Sequence, residues 1–160
     1  MTKINEAISF INEKHKFQTR KDGSPYVWHP IKVALMVKEQ GYNEDYQLAA
    51  LFHDLLEDTD ATEDEIRLLS SENVLAAVKL LTKTTENKKT YISDILKNDI
   101  AKIVKANDRI QNLQEAQSAT PQFIRGYLKN TKENYVGRFG PELDLAYEKL
   151  KNLYLSQYGD

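Results

Sequence analysis

The sequence predicts an all-α protein. Apolar residues recur at helical spacing along most of the chain, no segment alternates with period two, and runs of β-branched residues are scarce. A chain of 160 residues suits one domain and is long enough to bury a full hydrophobic core. We therefore expect a single compact helical domain over residues 1–160.

The first two helices are separated by a turn. The first has an apolar stripe formed by Ile4, Ala7, Ile8 and Ile11. Segment 19–25 is polar and contains a Gly-Ser-Pro turn. The second helix should begin near Pro30, which suits a first helical turn, and end at Gly41.

The third to fifth helices are marked by their caps. Asn43 is a candidate N-cap for the third, which we expect to run to about Glu57. Thr62 and Glu65 have the spacing of a capping box and predict the start of the fourth. The fifth carries the apolar residues Val74, Ala77, Val78 and Leu81 and is followed by a polar loop over 82–89.

Four more helices complete the prediction. A short sixth helix covers residues 91–96, and a seventh runs from about Ile100 through Leu113. Thr120 followed by Pro121 is a strong start signal for the eighth. The Gly140-Pro141 pair breaks the pattern before the last helix.

Composition excludes several classes of function. The formal charge of −2 provides no global basic field for nucleic acid or an anionic membrane. The chain has no cysteine, so disulfides, thiolate ligands and a cysteine nucleophile are absent. It shows no signal peptide and no apolar run of membrane-spanning length, so we expect a cytoplasmic protein.

The third predicted helix combines apolar and acidic residues. Its segment 48–52 is apolar nearly all the way round, which predicts a buried helix. This segment continues into His53 and Asp54, although a buried carboxylate costs several kcal/mol unless it is paired or coordinated. Glu57 and Asp58 follow within one turn, and no Lys or Arg occurs between residues 39 and 67. A bound cation would relieve the resulting repulsion between carboxylates.

Two further residues complete a candidate metal site. His29 lies at the mouth of the second helix, where its side chain can project before regular structure begins, and Asp108 follows the apolar stripe of the seventh helix. Two imidazoles and two carboxylates suit Mn²⁺, Fe²⁺ or Zn²⁺. The alternative is a buried His–Asp hydrogen bond beside a solvated acidic helix end. His15 lies between lysines, and we expect it at the surface.

These motifs together resemble the HD superfamily, and within it the alarmone hydrolases, which include the hydrolase half of the Rel/Spo enzymes and their stand-alone small relatives. The resemblance rests on PYVWHPIKVA over 25–34, HDLLEDT over 53–59, LTK over 81–83 and VKANDR over 104–109 with Asn112. It covers roughly residues 17–112, in the family's order and spacing.

The resemblance implies a Mn²⁺-dependent hydrolase that removes the 3′-pyrophosphate from ppGpp or pppGpp, giving GDP or GTP. The implied metal ligands are His29, His53, Asp54 and Asp108. Glu57 and Asp58 would activate or position the attacking water and manage the proton transfers. Because the chain ends at Asp160, with no room for a synthetase, the resemblance implies a stand-alone enzyme.

The resemblance also implies substrate contacts. Arg20 and Lys21 resemble nucleotide-contacting residues of the family, and their basic side chains would offset phosphate charge. Four other candidates for the pocket lining could equally face solvent or the core, namely Lys83, Lys105, Asn112 and Tyr127.

Two other functions compete with alarmone hydrolysis. One is an HD phosphohydrolase that acts on another nucleotide, although the Glu57-Asp58 pair favours the alarmone group within the resemblance. The second is a non-catalytic nucleotide-binding sensor, which we would expect to have lost a metal ligand or a catalytic acid. All six of those residues are present here.

Overall fold

The computed structural model describes residues 1–159, and these residues form an all-α structure, as predicted. Extended pairing among them is confined to one isolated bridge between Thr19 and Pro25. The described chain divides into two compact units, Met1–Lys105 and a second that begins at Ala106.

The first unit contains the helices on which most candidate site residues lie. They are α1 Lys3–Lys14, α2 Trp28–Glu39, α3 Glu44–Phe52, α4 Leu55–Asp58, α5 Glu63–Leu69, α6 Glu72–Leu81, α7 Tyr91–Leu96 and the first residues of α8 Asp99–Glu115. Helix α3 packs against α1, α2 and α6. Its residues Leu48 to Phe52 are at most 1% exposed, so the prediction of a buried third helix is confirmed.

The predicted caps form as expected. Asn43 accepts a hydrogen bond from the backbone N–H of Asp45 at the start of α3. Thr62 and Glu65 make both hydrogen bonds of a capping box at the start of α5. These local side-chain bonds satisfy backbone donors that have no partner within the helix.

The third helix is not continuous to Glu57, and that prediction was wrong. Helix α3 ends at Phe52, and the short helix α4 begins at Leu55. The Nδ1 atom of His53 lies 2.6 Å from the carbonyl oxygen of Ala50. In a continuing α-helix that oxygen would accept from the N–H of residue 54. At the break, Nδ1 of His53 therefore donates to the Ala50 carbonyl in place of the backbone N–H of residue 54.

The second unit contains the rest of α8, the 3₁₀ turn Ala116–Ser118, α9 Pro121–Asn134 and α10 Pro141–Tyr158. Thr120 caps α9 and Pro121 occupies its first turn, as predicted. The hydrophobic core of the second unit contains a cluster of six buried residues, namely Leu113, Ala116, Ile124, Leu128, Tyr147 and Leu150. Gly140 ends the connection between α9 and α10 with a φ of 112°, a backbone conformation that favours glycine.

Among the described residues, no helix combines the length and the apolar character that a bilayer crossing requires.

Candidate metal and acid site

His53 is buried at the break between α3 and α4, with 3% of its surface exposed. Because a backbone carbonyl can only accept, the contact of Nδ1 with Ala50 requires a proton on Nδ1 when the ring is neutral. The Nε2 atom of the neutral ring then carries a lone pair. Metal-binding histidines commonly hold this arrangement, with one ring nitrogen donating to a carbonyl and the other available to a metal.

His29 lies next to His53. The two ring centroids are 5.5 Å apart, and one ring nitrogen of each residue lies within 4.8 Å of the other. His29 is the second residue of α2 and is 2% exposed, so our expectation that it precedes regular structure was wrong. The first turn of α2 nevertheless brings the imidazole of His29 into the same buried region as that of His53.

Asp54 adds a carboxylate beside this histidine pair. Its Oδ2 atom lies 3.0 Å from Nε2 of His53 and accepts a hydrogen bond from the hydroxyl of Tyr26. When His53 is neutral, Nε2 and Oδ2 are both acceptors, and their close approach is favourable only with a cation or proton between them. This donor set fits a divalent metal ion.

Glu57 and Asp58 gather with Asp54 at the end of α4. One carboxylate oxygen from each of the three residues lies within 4.8 Å of the others. Glu57 is held in place because its Oε1 atom accepts from the backbone N–H of Lys83 at 2.6 Å. The predicted acidic cluster is therefore present, although it is built across the helix break and not on one helix.

The environment of Asp58 favours its protonated form. Its side chain remains accessible to solvent, yet partial burial of the carboxyl raises its pKa above the ordinary value, and the charges of Asp54 and Glu57 raise it further. A carboxyl with a raised pKa can hold a proton and donate it to a leaving group.

Basic side chains of the first unit lie near this cluster. The ammonium groups of Lys83 and Lys105 are 5.5 and 5.4 Å from the centre of the Tyr91 ring. Arg20 lies 5.8 Å from the centre of the Tyr26 ring, and Lys21 is exposed in the same turn. The backbone N–H of Lys83 thus bonds Glu57, while its ammonium group and that of Lys105 both lie near the Tyr91 ring.

The second unit carries the three remaining candidates. Asp108 is buried, with 8% of its surface exposed, and its Oδ1 atom accepts from the amide of Asn112 at 3.3 Å. Tyr127 stacks on Phe123, and the guanidinium of Arg109 lies 4.5 Å from its ring centre. Asn112 and Asp108 therefore share one face of α8, as their spacing predicts.

Three residues that contact the site had been missed or placed wrongly. His15 is 1% exposed, so its predicted surface position was wrong. Its Nδ1 atom lies 2.8 Å from Oε1 of Gln18, and its ring packs against Tyr26. The prediction was wrong because the lysines on either side of His15 in the sequence suggested a solvent-exposed segment. Tyr26 lies in the turn before α2, and the PYVWHPIKVA motif that contains it is the signal that could have found it.

A model of the HD domain family matches residues 7–94, more than half of the chain. The chain belongs to the HD domain family. The matched region includes the two histidines and the three acids that converge in the first unit. For this HD domain protein, the all-α fold and the HDLLEDT motif predicted the family correctly.

Curated relatives carry names that agree with the predicted resemblance to alarmone hydrolases. The HD domain protein is 31% identical to the guanosine-3′,5′-bis(diphosphate) 3′-pyrophosphohydrolase MESH1 of Danio rerio, covering 95% of this chain and 92% of that protein. It is 32% identical to an Aquifex aeolicus enzyme with the same activity in its name, covering 97% of this chain and 24% of that one. The chain thus spans about a quarter of the Aquifex relative's length.

A solved structure of similar fold supports the same relationship. It is described in the words "A metazoan ortholog of SpoT hydrolyzes ppGpp and plays a role in starvation responses". The TM-score is 0.75 at 26% identity, and the match covers 99% of this chain and 97% of the other. The predicted resemblance to the alarmone hydrolases is confirmed by these similarities.

Proposed function

We propose that this chain hydrolyses ppGpp and pppGpp, releasing pyrophosphate from the 3′ position and leaving GDP or GTP. The observation that carries the proposal is the junction of α3 and α4, where Glu57 and Asp58 stand beside Asp54, which adjoins His53. The names of the MESH1 relatives and the ppGpp hydrolysis ascribed to the protein of similar structure support the choice of substrate.

We further propose that His29, His53, Asp54 and Asp108 bind one divalent metal ion. The proposal is supported by the short distance between His53 and Asp54 and by the burial of both imidazoles. For Asp108 the support is its buried carboxylate and its place in the VKANDR motif. Mn²⁺ is our first choice, and Fe²⁺ or Zn²⁺ would suit the same ligands.

Glu57 and Asp58 would carry the proton transfers. A divalent ion at these ligands would polarise the phosphate and lower the pKa of water. Glu57, held by the amide of Lys83, would orient the attacking water and accept its proton. As the bond between phosphorus and the 3′ oxygen breaks, that oxygen needs a proton. Asp58, whose pKa is raised, is suited to donate it.

The basic residues around the acids would bind the substrate. Lys83 and Lys105, which share the Tyr91 ring, would offset pyrophosphate charge. Arg20 and Lys21 lie in the turn before α2, where we propose contacts with the nucleotide. Asn112 and Tyr127 remain proposed pocket residues of the second unit.

We propose that the chain acts as a single HD-type domain over residues 1–160, in the cytoplasm, on a small nucleotide and without nucleic acid or membrane. Its low net charge of −2 is consistent with these expectations.

The test is incubation of the purified protein with ppGpp and Mn²⁺, with and without EDTA, while GDP and pyrophosphate are followed by chromatography. We expect chelator-sensitive release of both products and a loss of about 10²- to 10⁴-fold in kcat for Glu57→Gln. Asp60→Asn is the matched control because Asp60 is an exposed acid of the same segment, bonded to Lys14.

A substrate panel in the same assay separates the competing functions. Faster hydrolysis of a nucleoside monophosphate than of ppGpp would assign the chain to another phosphohydrolase activity. Binding of ppGpp without turnover by a folded, Mn²⁺-loaded protein would point to a sensor.

A further inference from the structure

His15 is a buried histidine to which the proposed mechanism gives no role. It follows α1 directly and is 1% exposed, although Lys14 and Lys16 flank it in the sequence. A neutral imidazole has two tautomers, with the proton on Nδ1 or on Nε2, and hydrogen bonds to neighbouring groups determine which one forms.

The neighbour Gln18 fixes the tautomer of His15. The Nε2 amide of Gln18 donates to the backbone carbonyl of Asp58 at 2.9 Å, so its Oε1 atom is oriented toward His15. This oxygen lies 2.8 Å from Nδ1 of His15 and can only accept. The neutral ring therefore carries its proton on Nδ1. Within the described residues, Nε2 of His15 has no hydrogen-bond partner.

Two contacts lead from His15 to the acidic cluster. The first runs through Gln18 to the backbone of Asp58. The second is the packing of the His15 ring on Tyr26, with 5.0 Å between ring centres, and the Tyr26 hydroxyl bonds Asp54. Asp58 is the exposed last residue of the four-residue helix α4, and the Gln18 amide bonds its carbonyl oxygen.

We propose that His15 is a positioning residue, which holds Asp58 in place through Gln18 and orients Tyr26 beside Asp54. This inference rests on the proposed function, because the position of Asp58 matters if its carboxyl protonates the leaving oxygen. A misplacement of about 1 Å in a proton donor can cost about 10²-fold in rate. His15 itself contacts neither substrate nor metal in this assignment.

The kinetic test compares variants of the two linked residues in the ppGpp assay. We expect His15→Leu and Gln18→Leu each to lower kcat by about 10- to 100-fold with little change in KM. The double variant should be no worse than either single one, because both remove the same link. His15→Asn keeps a donor near the position of Nδ1 and should recover most of the activity.

Phe17→Leu is the matched control, since Phe17 lies between these residues and is 89% exposed. It should keep wild-type kcat. Equal kcat for His15→Leu, Gln18→Leu and the wild type would overturn the inference while leaving the proposed function intact. Additive losses in the double variant would also overturn it, because the two side chains would then act separately.

A second measurement is independent of substrate. Nitrogen NMR of the metal-free protein should show His15 protonated at Nδ1 and not at Nε2, and Gln18→Leu should remove this preference. A proton on Nε2 would overturn the inference whatever the substrate. A wild-type protein that releases no pyrophosphate from ppGpp would instead overturn the proposed function.

Discussion

At the scale of single residues, hydrogen bonds to His53 and Asp54 orient the two side chains so that an imidazole nitrogen and a carboxylate oxygen face each other. The carbonyl oxygen of Ala50 accepts a hydrogen bond from Nδ1 of His53, and the Tyr26 hydroxyl donates one to Asp54. Nε2 of His53 lies 3.0 Å from Oδ2 of Asp54, the same oxygen that accepts from Tyr26. Partners of this kind orient metal ligands and typically change metal affinity by about 10- to 100-fold.

Loss of the Tyr26 hydroxyl should therefore weaken metal binding. We expect Tyr26→Phe to reduce Mn²⁺ affinity by about 10-fold, since the ring is kept and only the donor to Asp54 is lost. Calorimetric titration measures this directly. Tyr42→Phe is the control, because Tyr42 stacks on Tyr46 away from the ligands. Equal affinities for wild type and Tyr26→Phe would refute the role of the hydroxyl.

The charged carboxylate of Asp58, our proposed catalytic acid, should lower the stability of the folded protein at neutral pH. Its pKa is raised in the folded state, so the folded protein binds the proton more tightly than the unfolded chain does. Stability from this group is fully present below the unfolded pKa and is lost as pH rises through the folded pKa. In EDTA at neutral pH, we expect Asp58→Asn to raise Tm by about 2 °C at most, because solvent screens the exposed group.

The pH dependence gives this prediction its control. The advantage of Asp58→Asn over wild type should shrink as pH falls through the raised pKa, measured by thermal unfolding. Asp60→Asn should behave oppositely, because the hydrogen bond from Lys14 lowers the pKa of Asp60. A lower Tm for Asp58→Asn at neutral pH would contradict the argument.

Side-chain chemistry was largely predictable at this scale, and side-chain burial was not. The acids at 54, 57 and 58 could be recognised because no Lys or Arg lies between residues 39 and 67. The burial of His15 could not be predicted, since the lysines beside it suggested solvent, whereas packing contacts such as the one with the Tyr26 ring bury it. Such contacts join residues that the local pattern does not relate.

At the scale of elements, helix ends are set by local bonds and can be tested one at a time. We expect Thr62→Ala to lower the free energy of unfolding by about 1 kcal/mol, because it removes the capping box of α5. Chemical denaturation measures the change, and kcat on ppGpp should stay at the wild-type value. Thr85→Ala, in an exposed loop, should leave the stability unchanged. Equal losses in both variants would contradict the capping argument.

The caps at Asn43, Thr62 and Thr120 were predictable because each depends on neighbours within three residues. The break after Phe52 was not. Its cause is the His53 side chain bonding to Ala50, which competes with the backbone for one carbonyl. The helical periodicity on both sides of the break remains intact, so the sequence pattern suggested one continuous helix.

At the scale of the whole molecule, metal binding should contribute to folding stability. Mn²⁺ at 100 times its Kd should stabilise the folded state by about 2.7 kcal/mol, because the unfolded chain lacks the assembled site. For a chain of this size that corresponds to a rise in Tm of about 5–10 °C. Differential scanning calorimetry with Mn²⁺ and with EDTA measures the shift.

Loss of a ligand should abolish this stabilisation. Asp54→Asn should show equal Tm values with Mn²⁺ and with EDTA, whereas Asp60→Asn should retain the wild-type shift. A full shift in Asp54→Asn would remove Asp54 from the ligand set. The same comparison in His29→Ala tests the histidine that adjoins His53.

Helix α2 begins with Trp28, the only tryptophan of the chain, directly before His29. Its indole is 53% exposed, and it gives the protein an intrinsic optical reporter one residue from a proposed ligand. Paramagnetic Mn²⁺ quenches nearby fluorescence, whereas d¹⁰ Zn²⁺ does not quench in this way. The emission of unlabelled protein should therefore fall during a Mn²⁺ titration and recover when Zn²⁺ displaces it, so the metal occupying the site can be followed in real time.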